Sequence, residues 1–337
     1  MPSPADAASV LRGTTDQIGV RFGVRRAVPR QFGALTPLVA AEGVTDVFVN
    51  AGGEVWTTGD SGAARVRAAD LDPAEVRRLA TTLIGLGGRH VDDSSPFADV
   101  RLADGIRVHA VLPPVSPGGA LLSIRVPATA RLGLDDLERG GFFDIVPRAE
   151  LADHVRRRSN LLITGATGSG KTTLLGALLA QAPPTDRLVT IEDVAELRIA
   201  HSHVVSLEAR QANVEGAGRI DLAQLVREAL RMRPDRLIVG ECRGAELREM
   251  LSALTTGHDG GAGTLHASGV EAVAARLESL GALAGLDPEA LARQAVEAFD
   301  VVVHVAATAE GRRVEATATL ELDGRGRLVA RRERRDR

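Results

Sequence analysis

Nine residues, GATGSGKTT from Gly165 to Thr173, constrain this chain more than any other stretch. They follow an apolar run, NLLITG, and open KTTLLGALLAQ, a segment with helical character. Strand, glycine-rich turn and helix is the context in which G-x-x-x-x-G-K-[ST], here Gly165 to Thr172, becomes a phosphate-binding loop. Gly165, Gly168 and Gly170 let the loop backbone, with Ala166, Thr167 and Ser169, turn its N–H groups inward around phosphate. The helix N-terminus adds partial positive charge at the same point. Lys171 is the only lysine; the other 40 of the 41 basic residues are arginine. A compact ammonium reaches the β and γ phosphates, whereas the wide planar fork of arginine does not fit that cradle. Thr172 is the expected Mg²⁺ ligand, through its hydroxyl. ATP with Mg²⁺ is the expected ligand pair.

Hydrolysis needs carboxylates near the γ-phosphate. Two apolar strands end in acids, and α/β folds place ligands at the C-terminal ends of strands. LVTIEDVAEL carries Glu192 and Asp193, and DRLIVGECRG carries Glu241. Glu241 is the expected group that polarises water or holds a water on Mg²⁺; pairing of these acids with nearby arginines is the competing reading. Cys242, the one cysteine, reads as a small core residue and permits no intrachain disulfide. TTGHDGGAGTLHA then brings His258 and His266 around a glycine-rich turn. Their spacing matches no common metal pattern. The alternative is that imidazole N–H groups reach the γ-phosphate or the acids around it.

At 337 residues there is room for two domains. Residues 1–126 mix strand, helix and hairpin signals, and read as a small α+β domain with residues 1–34 as a lead-in. VTDVFVNAGGEVWTTG reads as two strands, DPAEVRRLATTLIGLG as an amphipathic helix, and VRLADGIRVHAVLPP as a hairpin around Asp104-Gly105. Residues 127–150, rich in Pro, Gly and charge, read as a linker with one short helix. From 151 to 337, short apolar strands alternate with helices, so the fold class is α/β with a largely parallel sheet. The net charge of −3, seven Phe, one Trp and no Tyr argue against a direct nucleic-acid platform. No signal-peptide pattern and no long apolar run appear, so a cytoplasmic protein with at most peripheral membrane contact is expected.

Four elements stand in order: GATGSGKTT, TIEDVAEL, LRMRPDRLIVGECRG and TGHDGGAGTLHA. In that order they resemble the Walker A, Asp box, Walker B and His box of the type II and type IV secretion ATPase superfamily. Within it the chain is most similar to the Tad/Flp pilus-assembly ATPases, especially the actinobacterial group often described as conjugal-transfer-associated. PLVAAEGVTDVFVNAGGEVW and FADVRLADGIRVHAVLPP extend the resemblance, which runs from about residue 35 to about 305.

The resemblance implies a homohexameric ring, a RecA-like motor domain below an N-terminal domain, and a membrane-embedded platform protein as partner. It puts Glu241 in the Walker B position, Glu192 and Asp193 in the Asp box, and His258 and His266 in the His box. It places Arg107 of GIRVHAV and Arg125 of LLSIRVP on phosphate. With 40 arginines present, surface ion pairs are the competing reading for both. Arg210 and Arg243 are further candidates. LEARQAN after the Asp box and Ser268 after the His box depart from the family pattern. The expected function is an ATP-driven assembly motor. A traffic ATPase for DNA or protein export and a nucleotide-gated scaffold with little turnover are the alternatives.

Overall fold

A computed structural model describes residues 30–59, 62–102, 105–127, 132–210, 218–308 and 310–334. Asp104 lies outside these residues. The chain forms two compact units, Met1–Ala130 and Arg131–Arg337.

The first unit is an antiparallel sheet of six strands: β1 (Val44–Val49), β2 (Val55–Gly59), β3 (Gly62–Arg65), β4 (Phe97–Arg101), β5 (Arg107–Val111) and β6 (Leu121–Arg125), in the order β3-β2-β1-β6-β5-β4. Strand alternation makes one face apolar. Val47, Val49, Val100, Val108, Ala110, Leu122 and Ile124 are buried on it. The helix Pro73–Leu86 packs against β4, β5 and β6. Pro73 stands at its first turn and the Asp72 side chain accepts from Ala74 N at 2.8 Å, which fixes its start. Val76, Ala80, Leu83 and Ile84 form its buried stripe.

The opposite face carries a row of charge. Arg101 pairs in register with Arg107, Arg107 with Arg125, and Arg125 with Asp46. Residues directly opposite in an antiparallel pair share a face, so three guanidinium groups are aligned across β4, β5 and β6. Asp46 continues the row on β1.

The second unit holds β7 (Leu161–Gly165), β8 (Leu188–Glu192), β9 (Val204–Glu208), β10 (Arg236–Val239), β11 (Ala262–His266), β12 (Val301–Thr308), β13 (Gly311–Leu322) and β14 (Leu328–Arg332). Their order is β14-β13-β12-β7-β11-β10-β8-β9. The pairings from β12 to β9 are all parallel, and β13 and β14 extend the sheet antiparallel. This is the expected largely parallel α/β sheet. Every residue of β7, β8 and β10 is buried, the condition that turns alternation into an apolar run.

Successive side chains of those strands enter different cores. Leu162, Val189, Ile191, Leu237 and Val239 pack with the helices Leu222–Leu230, Glu246–Leu254, Val273–Leu283 and Pro288–Ala298. Leu161, Ile163, Leu188 and Ile238 pack with Leu134–Arg139, Arg148–Arg156 and Lys171–Leu179.

Residues 132–150 differ from the linker expectation. Leu134, Leu137, Phe142, Phe143 and Val146 are buried in the second unit's core. The Gly, Pro and charge that suggested a linker sit on the outside of that packing. The edge strands β3 and β9 escaped the sequence reading because each is half-exposed and pairs on one side only. Among the described residues no helix is long and apolar enough to cross a membrane.

Candidate functional site

Parallel strands bring their C-terminal ends to one edge of the sheet. β7 leads into the 165–173 loop, Glu192 ends β8, Glu241 follows β10, and His266 ends β11. Four segments distant in sequence therefore meet around the loop.

Lys171 is buried. Its ammonium donates to Gly165 O at 3.0 Å, to Ala166 O at 2.8 Å and to His266 Nδ1 at 3.1 Å. His266 Nδ1 is thus the acceptor, and Nε2–H faces Glu241 Oε1 at 2.9 Å. This neutral tautomer fits its surroundings: burial first, then Lys171 and Arg243, push the imidazole below its ordinary range against the pull of Glu241. Burial lowers the lysine as well. All three ammonium protons have acceptors, so a phosphate oxygen arriving here takes the place of one of them.

Glu241 is engaged at both oxygens. Arg243 Nη2 donates to Oε2 at 2.6 Å, and Arg243 Nη1 lies 3.7 Å from Asp193. Burial works to raise the Glu241 carboxyl, but the hydrogen bond and charge of Arg243, with His266 and Lys171, outweigh it and hold it below its ordinary value. Arg243 is positioned from below by Glu246, which sequence reading passed over. The buried Glu246 carboxylate accepts from Arg243 N and, at 2.7 Å, from Gly244 N. Its signal was a helix-starting acid beside a tight turn.

Glu192 reaches the same place by another route. A Cβ on Gly240 would sit 2.4 Å from Glu192 Cγ, so only glycine lets this side chain lie against the backbone before Glu241. Glu192 Oε1 accepts from Glu196 N at 2.9 Å and Leu197 N at 3.0 Å, while Oε2 is buried with no partner. Burial is the largest influence on this carboxyl and pushes it up to about 7 from 4.5; the two N–H bonds oppose that rise, and Glu196 and Glu208 add to it.

The folded state therefore holds this proton more tightly than the unfolded chain. Stability falls as pH rises from about 4.5 to about 7, by an amount on the order of 3 kcal/mol. Urea unfolding at pH 5 and pH 8 checks this. The unaltered protein is expected to lose more stability between the two than Glu192→Gln does; equal losses would place the pH dependence elsewhere.

His258 is not part of the assembly. It precedes β11, whereas His266 ends it, and a five-residue strand spans roughly 16 Å. Asp259 O, beside it, accepts from Arg158 Nη2 at 3.2 Å, just before the start of β7. The structure thus corrects the pairing of the two histidines: a strand between them puts them at opposite edges of the sheet. Arg210 forms an isolated bridge with Ile220. Cys242 is buried against Met250 Sδ at 3.6 Å, and burial pushes its thiol up, so it is a core residue.

Among the described residues no three His, Cys, Asp or Glu side chains are grouped to hold a metal ion by themselves. Mg²⁺ fits through the loop together with phosphate oxygens. The Thr172 hydroxyl, on the first helical turn, has no hydrogen-bond partner among the described residues. The Ser169 hydroxyl is buried and unpaired in the same loop.

The family described as type II/IV secretion system protein matches residues 30–310. The chain belongs to this secretion ATPase family. A Mycobacterium tuberculosis protein provisionally named for conjugal transfer is 47% identical over 304 residues, 88% of this chain and 86% of its own length. The conjugal transfer protein TrbB of Rhizobium radiobacter is 32% identical over 283 residues, 82% of this chain and 84% of its own. The type IV secretion system protein PtlH of Bordetella pertussis is 34% identical over 268 residues, 72% and 78%. Among solved structures, the pilus retraction motor PilT with bound ADP has a TM-score of 0.58 at 21% identity, covering 82% of this chain and 78% of that one. The Legionella pneumophila ATPase DotB has a TM-score of 0.53 at 21% identity, covering 86% and 76%. Both show the RecA-like fold with a preceding domain for this secretion-family chain.

Proposed function

We propose that this chain is an ATP-hydrolysing motor that powers assembly of a Tad/Flp-type pilus or a related secretion apparatus. It works as a homohexameric ring at the inner face of the cell membrane, against a membrane-embedded platform protein. The reaction is phosphoryl transfer from ATP to water. One observation carries it: Lys171, His266 and Glu241 stand in a hydrogen-bonded line at the end of the phosphate loop.

The residues present have distinct tasks. The backbone of Gly165 to Thr173 holds the phosphates and Lys171 neutralises their charge. Mg²⁺, when bound, would supply Lewis-acid stabilisation of phosphate charge, and the Thr172 hydroxyl would hold it. Glu241 takes the proton of the attacking water, and His266 keeps that carboxylate aimed. Glu192 and Asp193 shape the turn beside it. Arg107 and Arg125, in register on neighbouring strands, act on phosphate charge.

Mg²⁺-dependent ATPase activity measured against protein concentration tests this, with Lys171→Ala as control. Specific activity is expected to rise steeply as rings assemble. ATP binding without turnover under all conditions would instead make the chain a nucleotide-gated scaffold. The conjugal-transfer names of relatives support a second reading, a traffic ATPase for DNA or protein export. Salt-dependent DNA binding by the purified protein would favour it.

A further inference from the structure

Besides His266, a second histidine lies next to the phosphate loop, and it is buried. His304 of β12 stands directly opposite Thr164 of β7, and its Nδ1 is 2.9 Å from the Thr164 hydroxyl. Thr164 is buried too and immediately precedes Gly165, the first glycine of the loop.

The other neighbours of the ring decide its tautomer. His304 Nε2 faces Glu315 Oε2 at 3.9 Å, and Arg332 Nη2 donates to the second oxygen of Glu315 at 3.3 Å. Burial is the largest influence on the imidazole and pushes it below its ordinary range; Arg332 and Lys171 add to that, while Glu315 and Glu271 oppose it. The ring is therefore neutral. With its proton on Nε2, toward the carboxylate, Nδ1 accepts from the Thr164 hydroxyl. A bulge aims Glu315 at this ring: His304 pairs with Ala316 and Val305 with Val314, so Glu315 is the extra residue on β13.

The seam beside this contact carries the loop. Pairing of β7 with β12 ends at Gly165 and Val305. A Cβ on Gly165 would stand 2.2 Å from Val305 O and 2.6 Å from Ser169 Oγ, so the glycine is wedged between β12 and the loop itself. Its carbonyl accepts from the Lys171 ammonium at 3.0 Å and from Ala267 N, one residue past His266, at 3.3 Å. The aim of Lys171 thus depends on where β7 leaves the sheet. Apolar packing along the two strands is non-directional. The His304–Thr164 bond has a set length and angle, one residue before that exit.

We infer that His304 is a positioning residue for ATP hydrolysis: through Thr164 it fixes the first loop glycine, and so the place from which Lys171 acts on the terminal phosphate. This rests on the reading of the loop as an ATP site. The N–H groups of the loop hold the triphosphate in the ground state. An error in the aim of Lys171 shows instead in the chemical step, where small displacements are costly.

Thr164→Val tests this with little risk to the fold, since valine keeps the shape and the β-branch and removes only the hydroxyl. It is expected to lower kcat about tenfold, the scale of one net hydrogen bond, and to leave ATP affinity, measured by calorimetry, unchanged. His304→Leu is expected to give the same loss, and both changes together no more than either alone, as for two ends of one contact. Thr164→Ser and His304→Asn, which keep a hydroxyl and an acceptor near the Nδ1 position, are expected to recover most of the rate. The ¹⁵N resonances of His304 give a readout without turnover: Nδ1 is expected to report an accepted hydrogen bond in the unaltered protein and none in Thr164→Val. Unchanged kcat in Thr164→Val, additive losses in the double variant, or a loss of ATP affinity equal to the loss of rate would each overturn the inference. Lower thermal stability with the rate intact would overturn it as well and make the pair a packing contact. No ATP binding or turnover in the unaltered protein would instead remove the motor reading, whatever the Nδ1 resonance shows.

Discussion

Glu241→Gln is expected to lower ATP turnover by about 10²- to 10⁴-fold, the usual contribution of a positioned general base, while ATP still binds. Glutamine keeps the shape and an acceptor for His266 Nε2, now 2.9 Å from Oε1. It loses the charge and the basic oxygen. Burial also matters, because a half-buried carboxylate beside Lys171 acts on phosphate chemistry in a poorly screened setting. In the state seen here Oε2 is occupied by Arg243, so base action requires Arg243 to move off that oxygen when nucleotide and water arrive. Steady-state phosphate release together with ATP titration checks the prediction. Unchanged hydrolysis in Glu241→Gln would remove the carboxylate from the mechanism.

Arg107→Ala is expected to lower turnover by about 10³-fold or more, the scale on which an arginine finger acts. The sheet supplies the reason to single it out. Arg107 stands between Arg101 and Arg125 in register, at the centre of three aligned guanidiniums. Mixing Arg107→Ala with Lys171→Ala protein tells where it acts. Each variant alone is expected to be nearly inactive, and the mixture to recover part of the rate, because some sites then combine an intact loop with an intact arginine. No recovery would mean that each subunit uses its own arginine, and an unchanged rate in Arg107→Ala would return the residue to a surface ion pair.

The strand, loop and helix around residues 165–173 were legible in the sequence because their signal is contiguous. Positive-φ glycines and one lysine at set spacing define a local backbone shape wherever strand passes into helix. Glu241 and Glu192 were legible for a related reason, as acids that end buried strands. Arg243 was named only as a further candidate for phosphate, beside a general pairing of acids with arginines; that it sits on the second oxygen of Glu241, and that Glu246 holds Arg243 N, needed the folded turn.

His258 and His266 show the limit from the other direction. Eight residues apart, they read as a pair, yet the extended strand β11 carries them to opposite edges of the sheet. Residues 127–150 read as a linker because packing, which buries Phe142 and Val146, leaves no mark in a composition rich in Gly and charge.

The sequence by itself thus determined the family and the fold class, a largely parallel α/β sheet preceded by a smaller α+β domain. Only the tertiary structure decided which groups meet. The order β12-β7-β11-β10-β8 puts His266 between Lys171 and Glu241, and the same order sets His304 beside Thr164 on the other side of β7. Local backbone preference acts over a few neighbouring residues, whereas strand order is set by the burial of whole apolar faces, and that is a property of the entire sheet.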